Sequence, residues 1–191
     1  MTIDRGATIY GASFSPSGKE IVWARKRGQG YLVEGGVDLY RARVDGRATT
    51  RLTRGGVSAY PVWGPKRIAF GRVRRSGDRH FPAFEVWTML PRGGGLRRLT
   101  RTDGPIDWSA DGRRLLTSIV SKSDTKSSVV DIGTGHIRTL VGGTDVFTLA
   151  LSRDGRFVLA WAGGNLVRVS WDDRSQTVLA RNVDELADWN L

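Results

Sequence analysis

Short runs in which apolar and polar side chains alternate recur along the chain, for example at residues 84–89 and 166–171. Turns rich in Gly, Pro, Asp or Ser bound these runs, and apolar side chains seldom recur at the three- and four-residue spacing of a helix. A period of two residues places successive side chains on opposite faces of a β-strand. The pattern therefore predicts an all-β chain of short strands with negligible helix.

One longer pattern occurs four times: an anchor residue, a tight turn, an apolar strand, an alternating strand, a Gly- or Asp-bearing turn and a closing strand. The anchors are Phe14, Trp63, Trp108 and Leu151, and Trp189 begins a fifth copy. Successive anchors are 38 to 49 residues apart, which is the length of one four-stranded propeller blade. The sequence thus predicts a β-propeller whose anchors lie between blades.

The whole chain, 1–191, is predicted to form a single β-propeller domain. The predicted blades cover approximately residues 8–53, 57–100, 104–140 and 146–180, and a stub of a further blade covers 184–191. An isolated four-stranded meander exposes one wide apolar face, and stacking blades around an axis buries it. The second blade departs from the repeat, because Gly64-Pro65-Lys66 replaces its first turn.

The Asp-Trp-Ser-Ala-Asp-Gly start at residues 107–112, with its apolar strand and the Arg-Leu-Thr ends of the first two blades, resembles the repeat of TolB-like (WD40-like) β-propellers. The resemblance covers nearly the whole chain. That family usually has six blades, so it implies part of a larger ring. It also implies a bacterial cell-envelope scaffold that binds peptidoglycan-associated lipoprotein and transport proteins. Similar repeats occur in the propellers of prolyl oligopeptidase-like enzymes, so the motif specifies architecture better than function.

Residues that could perform catalysis or bind metal are few. The chain has no cysteine and only two histidines, His80 and His136. A Ser-His-Asp set could assemble from Ser121, His136 and Asp131, but no Gly-x-Ser-x-Gly elbow or zinc spacing accompanies it. We therefore expect a non-enzymatic protein without cofactor or metal. Four aspartates are predicted to be turn or cap residues: Asp103, Asp107, Asp111 and Asp154.

The chain is strongly basic, with 30 Lys and Arg against 19 Asp and Glu, a formal charge of +11. Such an excess attracts phosphates, anionic lipid or acidic proteins, although arginine spread along the whole chain also fits a compositional bias of the source genome. In a meander, the loops between the second and third strands and the connections between blades emerge on one side. Basic residues of these segments, beside Tyr31 and Phe81, form the predicted anionic-partner face: Arg25, Lys26, Arg27, Arg54, Arg72, Arg74, Arg75, Arg79 and Arg101.

The function that these patterns favour is a non-catalytic binding or scaffold module that mediates protein-protein interaction. One alternative is the propeller fragment of a prolyl oligopeptidase-like peptidase without its hydrolase domain. Another is a basic surface for a polyanion, although nucleic acid is not favoured. A homo-oligomer that covers open propeller edges is a further expectation. The N-terminal residues 1–6 lack the apolar core of a secretory signal and no run spans a membrane, so the chain as written is expected to be cytoplasmic. An upstream signal in a longer precursor would make it periplasmic or secreted.

Overall fold

The computed structural model describes residues 7–28, 32–74, 83–101, 104–120, 125–143 and 146–183, except for the side chains of residues 33, 119 and 120. Within these ranges, sixteen strands form four four-stranded sheets, and the single helical segment is a 3-10 turn at Leu32–Glu34. Strands pair with their neighbours in the chain, and the pairs with a determined register are antiparallel. The predicted all-β class and four-stranded meander blades are confirmed.

The chain divides into two compact units, residues 1–105 and 106–191. Unit 1 contains blades 1 and 2, and unit 2 contains blade 4 and most of blade 3. The prediction of one domain over all 191 residues stays a prediction.

Unit 1 is built from two meanders. Blade 1 consists of β1 (Thr8–Phe14), β2 (Glu20–Lys26), β3 (Val37–Arg43) and β4 (Thr50–Arg51). Blade 2 consists of β5 (Ser58–Trp63), β6 (Ile68–Arg74), β7 (Ala83–Met89) and β8 (Arg97–Thr100). Strand β5 contacts β1, β2 and β3, so the second meander packs on the face of the first.

The two blades of unit 1 pack through different faces. Blade 1 contributes Val22 and Leu39 to a buried cluster, and blade 2 contributes Trp63, Ile68 and Phe70. We call the face of a blade that is turned to the next blade in the sequence its trailing face, and the opposite one its leading face. Alternation along each strand separates the two faces.

Unit 2 repeats this arrangement. Blade 3 consists of β9 (Gly104–Trp108), β10 (Arg114–Val120), β11 (Thr125–Asp131) and β12 (Ile137–Gly143). Blade 4 consists of β13 (Val146–Leu151), β14 (Phe157–Ala162), β15 (Asn165–Ser170) and β16 (Gln176–Arg181). The trailing face of blade 3, with Leu116 and Val129, and the leading face of blade 4, with Leu151, Val158 and Ala160, form the core.

The first turn of blades 3 and 4 follows from its Ser-x-Asp-Gly sequence. Asp111 accepts hydrogen bonds from the Ser109 hydroxyl at 2.7 Å and the Arg113 N–H at 2.9 Å. Asp154 does the same in blade 4, with the Ser152 hydroxyl and the Arg156 N–H. The following glycines have φ of 70° and 71°, in the left-handed region that favours glycine. Asp111 and Asp154 are thus the turn residues that the sequence predicts.

The anchors divide into buried and exposed positions. Trp63, Trp108 and Leu151 are buried, whereas Phe14 is 62% exposed. Trp63 and Leu151 pack on the trailing face of the preceding blade, which confirms their predicted place. For Phe14 the prediction is wrong, because among the described residues no blade precedes blade 1. The fifth anchor, Trp189, lies outside the described residues.

A side chain beside each of two anchors ties one blade to the next. The Ser13 hydroxyl accepts a hydrogen bond from the N–H of Trp63 at 3.0 Å, and Asp107 accepts one from the N–H of Leu151 at 2.9 Å. Asp107 is therefore a link between blades 3 and 4, and its prediction as a simple turn residue is corrected. Asp103 lies outside the described residues.

Candidate functional site

The connections of unit 1 gather along one edge of its two sheets. Residues 27–28 and 32–36, the described ends of the segment between β2 and β3, lie there with the connection at residues 52–57 that joins β4 to β5. They meet through the hydrogen bond from the Val37 N–H to the Gly56 carbonyl at 3.1 Å. The end of β6 joins them, because the Val73 N–H donates to the Val57 carbonyl at 2.8 Å. We call this edge, with Arg72–Arg74 and Arg101 at the ends of β6 and β8, the basic edge.

The predicted site residues differ in exposure. Four are exposed on the basic edge: Arg27, Arg54, Arg74 and Arg101. Arg25 and Arg72 are half-buried within their strands. Arg75 and Arg79 lie outside the described residues, as do Tyr31 and Phe81.

Lys26 is buried, with 4% of its surface exposed. Its ammonium group donates a hydrogen bond to the Gly35 carbonyl at 2.7 Å. Lys26 thus stabilises the segment immediately before β3, and its predicted place on the exposed face is wrong. The reason is the trailing-face alternation of Val22, Ala24 and Lys26, which turns all three side chains inward.

A buried carboxylate organises the edge. Asp38 is fully buried, and its Oδ1 accepts hydrogen bonds from the Thr53 hydroxyl and the Gly56 N–H, both at 3.0 Å. Its Oδ2 accepts from Arg51 Nη2 at 2.5 Å and from Arg27 Nη2 at 3.4 Å. The connection that follows β4 thus bonds Oδ1, and arginines of β4 and of the segment after β2 bond Oδ2, so that the carboxylate holds these segments against β3.

The pKa of Asp38 reflects two opposed effects. Burial by itself raises the pKa of this carboxyl group, because it disfavours the charged form. Hydrogen bonds from Gly56, Arg51 and Thr53, and the charge of Arg51, outweigh burial and lower the pKa below its ordinary value. Asp38 is therefore a carboxylate at neutral pH, and its charge is neutralised locally by Arg51.

Blade 2 contains an equivalent pair of an acid and an arginine that is more exposed to solvent. Glu85, at the position on β7 that corresponds to Asp38 on β3, accepts a hydrogen bond from Arg98 at 3.3 Å. In both blades the acid precedes the arginine of the Arg-Leu-Thr ending by 13 positions. This spacing is present in the sequence, and in blades 1 and 2 the first arginine of the motif bonds the acid.

Aromatic rings hold two of the half-buried arginines. The Arg72 guanidinium lies over the Trp87 ring at 4.9 Å, and that of Arg25 lies over the Tyr40 ring at 5.8 Å. The two pairs occupy the same repeat positions in blades 2 and 1. Stacking on an aromatic face fixes the plane of a guanidinium while its N–H groups stay available to a carboxylate.

An open cleft of about 150 Å³ lies beside the basic edge. Arg54, Arg72, Thr53 and Ser58 are its polar lining residues, and the other walls are apolar. Leu52, Val57, Phe70 and Leu96 contribute those walls. Two arginines beside polar and apolar surface form an arrangement suited to a small anionic group.

The candidate catalytic residues do not form a described site. Asp131 accepts hydrogen bonds from the Thr134 N–H and hydroxyl in the turn after β11, and His136 is exposed in the same turn. Ser121 and His80 lie outside the described residues. Within the described ranges no three His, Cys, Asp or Glu side chains cluster as a metal site would need, and no helix has the length and apolar content to cross a membrane.

Several solved structures are similar to this chain. A putative TolB from Agrobacterium tumefaciens matches with a TM-score of 0.70 and 19% identity, over 91% of this chain and 62% of that one. TolB from Acinetobacter baumannii matches with a TM-score of 0.67 and 22% identity, over 91% and 43%. A puromycin-hydrolyzing peptidase from Mycobacterium tuberculosis matches with a TM-score of 0.67 and 19% identity, over 95% and 30%. No family model matches the chain, and no curated protein matches it in sequence.

At such identities, structural likeness establishes the fold and not the function. The chain also spans less than two thirds of the length of each of these structures. The fourfold sequence repeat, the four antiparallel meanders and these matches agree on one architecture. The chain has the fold of a TolB-like β-propeller and supplies four of its blades.

Proposed function

We propose that this chain is a non-catalytic binding module whose basic edge holds an acidic segment of a protein partner. One observation carries the proposal: Arg54 and Arg72 line the same open cleft of unit 1. A guanidinium group binds a carboxylate through two parallel N–H···O bonds, which adds direction as well as charge. A Glu or Asp side chain of the partner is the group that this cleft suits.

The cleft is prepared for such a group before it binds. Trp87 holds the guanidinium of Arg72, so less side-chain freedom is lost when a carboxylate arrives. The apolar walls from Leu52, Val57 and Leu96 exclude part of the surrounding water. A lower local dielectric strengthens the attraction between guanidinium and carboxylate.

The charges around the cleft favour the same class of partner. On the described part of the basic edge, Asp38 and Glu85 already accept hydrogen bonds from Arg51 and Arg98. Glu34 is the exposed acid there, against four exposed arginines. The edge therefore has an excess of positive charge that steers an acidic segment towards it.

The test is binding of a fluorescent oligo-glutamate peptide, measured by anisotropy. The double variant Arg54→Gln/Arg72→Gln removes both cleft guanidiniums, and the control Lys66→Gln/Arg92→Gln removes two exposed cations from turns at the other end of the blade 2 strands. Each charged hydrogen bond is worth about 1.5 to 3 kcal/mol, so the cleft variant should bind at least about tenfold more weakly. The control should stay within about twofold.

Equal affinities of the two variants would overturn the proposal, because only placement distinguishes them. A single-stranded oligonucleotide of the same charge provides the second arm. Stronger, Arg54-dependent binding of the oligonucleotide would assign the edge to nucleic acid instead of an acidic protein.

A second candidate has its own observation, the structural likeness to a peptidase. In that case the blades belong to the propeller of a larger hydrolase and restrict access to its active site. The sequence of the reading frame beyond residue 191 tests this. A Gly-x-Ser-x-Gly elbow there would favour the peptidase, and a frame without a hydrolase domain would exclude it.

A further inference from the structure

Blade 4 has an apolar trailing face that no described residue covers. Phe147 and Leu179 on this blade are 47% and 51% exposed. A hollow of about 280 Å³ opens on the same face, lined by Phe157, Leu159, Arg168 and Leu179 among others. In blades 1 and 3, the trailing face is the one on which the next blade packs.

Blade 1 leaves part of the complementary leading face exposed, although Trp23 on that face is buried. Ile9 is 44% exposed and Phe14 is 62% exposed. Their register partners on β2 are Arg25 and Ile21, so both point to the same side of the sheet as Trp23 and Tyr40. In blade 2 that side contains Trp63, Ile68 and Phe70, which are buried against blade 1.

Strand register shows how closely the open faces repeat the packed ones. On blade 1, Val22 pairs with Arg41, and on blade 4, Leu159 pairs with Arg168. Val22 is fully buried under blade 2, whereas Leu159 is half-buried beside the open hollow. On the trailing faces of blades 1 and 4, the equivalent positions are Val22 and Leu159, Leu39 and Leu166, and Arg41 and Arg168. On the leading faces of blades 2 and 1, they are Trp63 and Phe14, Ile68 and Ile21, and Phe70 and Trp23.

We propose that a second copy of this chain covers these faces, with the trailing face of blade 4 of one copy on the leading face of blade 1 of the other. A polar contact supports the pairing. Arg41 donates a hydrogen bond across the blade 1–blade 2 contact to the Pro91 carbonyl at 3.3 Å. On the open faces, Arg168 of blade 4 corresponds to Arg41 and is exposed. Val44 of blade 1 corresponds to Pro91 and is 47% exposed. Arg168 of one copy donates to the Val44 carbonyl of the next.

The contact is head-to-tail rather than like-on-like. Within each unit, the packed pair consists of one trailing face and one leading face. A leading face on a second leading face would place Phe14 against Phe14 and leave both hollows of blade 4 open. Heterologous pairing buries Phe14 and the hollow together, as Trp63 is buried on blade 1.

The experiment measures the mass of the full chain by light scattering and sedimentation, from about 1 µM to about 500 µM. The wild type should rise from 21.0 kDa to at least twice that value. Phe14→Asp damages only the leading face and Leu179→Asp only the trailing face. Each substituted residue is more than half exposed, so folding does not depend on it. Each variant alone should stay monomeric, and an equimolar mixture should form a dimer through its one intact pair of faces.

Aspartate lowers the net charge of +11, so charge repulsion between copies cannot explain a loss of association. The matched controls Leu90→Asp and Ile137→Asp change exposed apolar residues of blades 2 and 3 and should associate as the wild type does. A monomeric wild type at the highest concentration overturns the proposal. Continued association of Leu179→Asp alone, or no dimer in the mixture, overturns the head-to-tail arrangement.

Discussion

The substitution Asp38→Asn distinguishes the bonds to the two oxygens of the buried Asp38 carboxylate. Oδ1 accepts from Thr53 and Gly56, and Asn retains this oxygen. Oδ2 accepts from Arg51 and Arg27, and in Asn an NH₂ group faces these donors. The variant therefore loses the ion pair while the neutral hydrogen bonds can persist.

The expected loss follows from burial. Asp38 is fully buried and the Arg51 side chain is 24% exposed, so the arginine regains only part of its hydration. Arg27 is 54% exposed and 3.4 Å away, and contributes little. Removing one partner of a buried pair costs about 3 to 5 kcal/mol, and a hydrogen bond to a charged group is worth about 1.5 to 3. We expect the free energy of unfolding to fall by about 2 to 4 kcal/mol at pH 7.

The effect should also depend on pH with a definite sign. The folded-state pKa of Asp38 is lowered by its hydrogen bonds despite burial, so its stabilisation is present above the unfolded pKa of about 4. It disappears as pH falls through the lower folded value. The difference between wild type and Asp38→Asn should be constant from about pH 7 to about pH 5 and shrink below about pH 4.

Urea unfolding followed by tryptophan fluorescence measures both effects. Asp172→Asn is the control, because Asp172 and its partner Arg156 form an ion pair in which both side chains are more than half exposed. It should cost less than about 0.5 kcal/mol. A similar loss for both variants, or a loss at position 38 that grows in acid, would refute the assignment of Asp38 as a buried structural carboxylate.

Three further predictions use matched positions. Trp63→Ala should cost about 3 to 5 kcal/mol of unfolding free energy and Phe14→Ala less than about 1 in the monomer, because only the first anchor is buried; equal costs would argue against the blade contact. Burial raises the pKa of Asp107 despite its bonds to Leu151 and Trp108, so its ionisation destabilises the fold as pH rises above about 4. The advantage of wild type over Asp107→Asn in urea should therefore grow in acid, opposite to Asp38. On a heparin column, replacing four basic-edge arginines by Gln should lower the eluting salt concentration more than four changes in the opposite turns; the two sets are Arg27, Arg54, Arg74 and Arg101, and Lys19, Arg47, Lys66 and Arg92.

The sequence predicted the blades because turn residues and strand alternation recur at a fixed period, and local patterns of this kind need no knowledge of neighbours. It did not distinguish Phe14 from Trp63, since burial of an anchor depends on whether another blade precedes it. It also placed Lys26 on the surface, although this side chain is buried and donates a hydrogen bond to the Gly35 carbonyl. Composition alone could not separate an inward-facing lysine from an exposed arginine.

Asp38 was the main residue of the site that the sequence did not reveal. A single polar residue between Val37 and Leu39 is typical of a half-exposed strand. Its burial accompanies bonds to Arg51 on β4 and to Thr53 and Gly56 on the connection that follows. The repeated spacing of 13 residues from acid to arginine was the available signal. The cleft between Arg54 and Arg72 could not be predicted, because it depends on how two blades pack.

Hydrogen–deuterium exchange of the chain with and without a saturating oligo-glutamate peptide tests the central claim most directly. The proposed site predicts slower exchange in peptides that contain residues 52–57 and 70–74, which hold Arg54 and Arg72. The turn at residues 44–49, between β3 and β4 at the other end of the blade 1 strands, contains no residue of the cleft and should exchange at an unchanged rate. Protection of that turn alone, or no protection of residues 52–57 at saturation, would contradict a binding site on the basic edge.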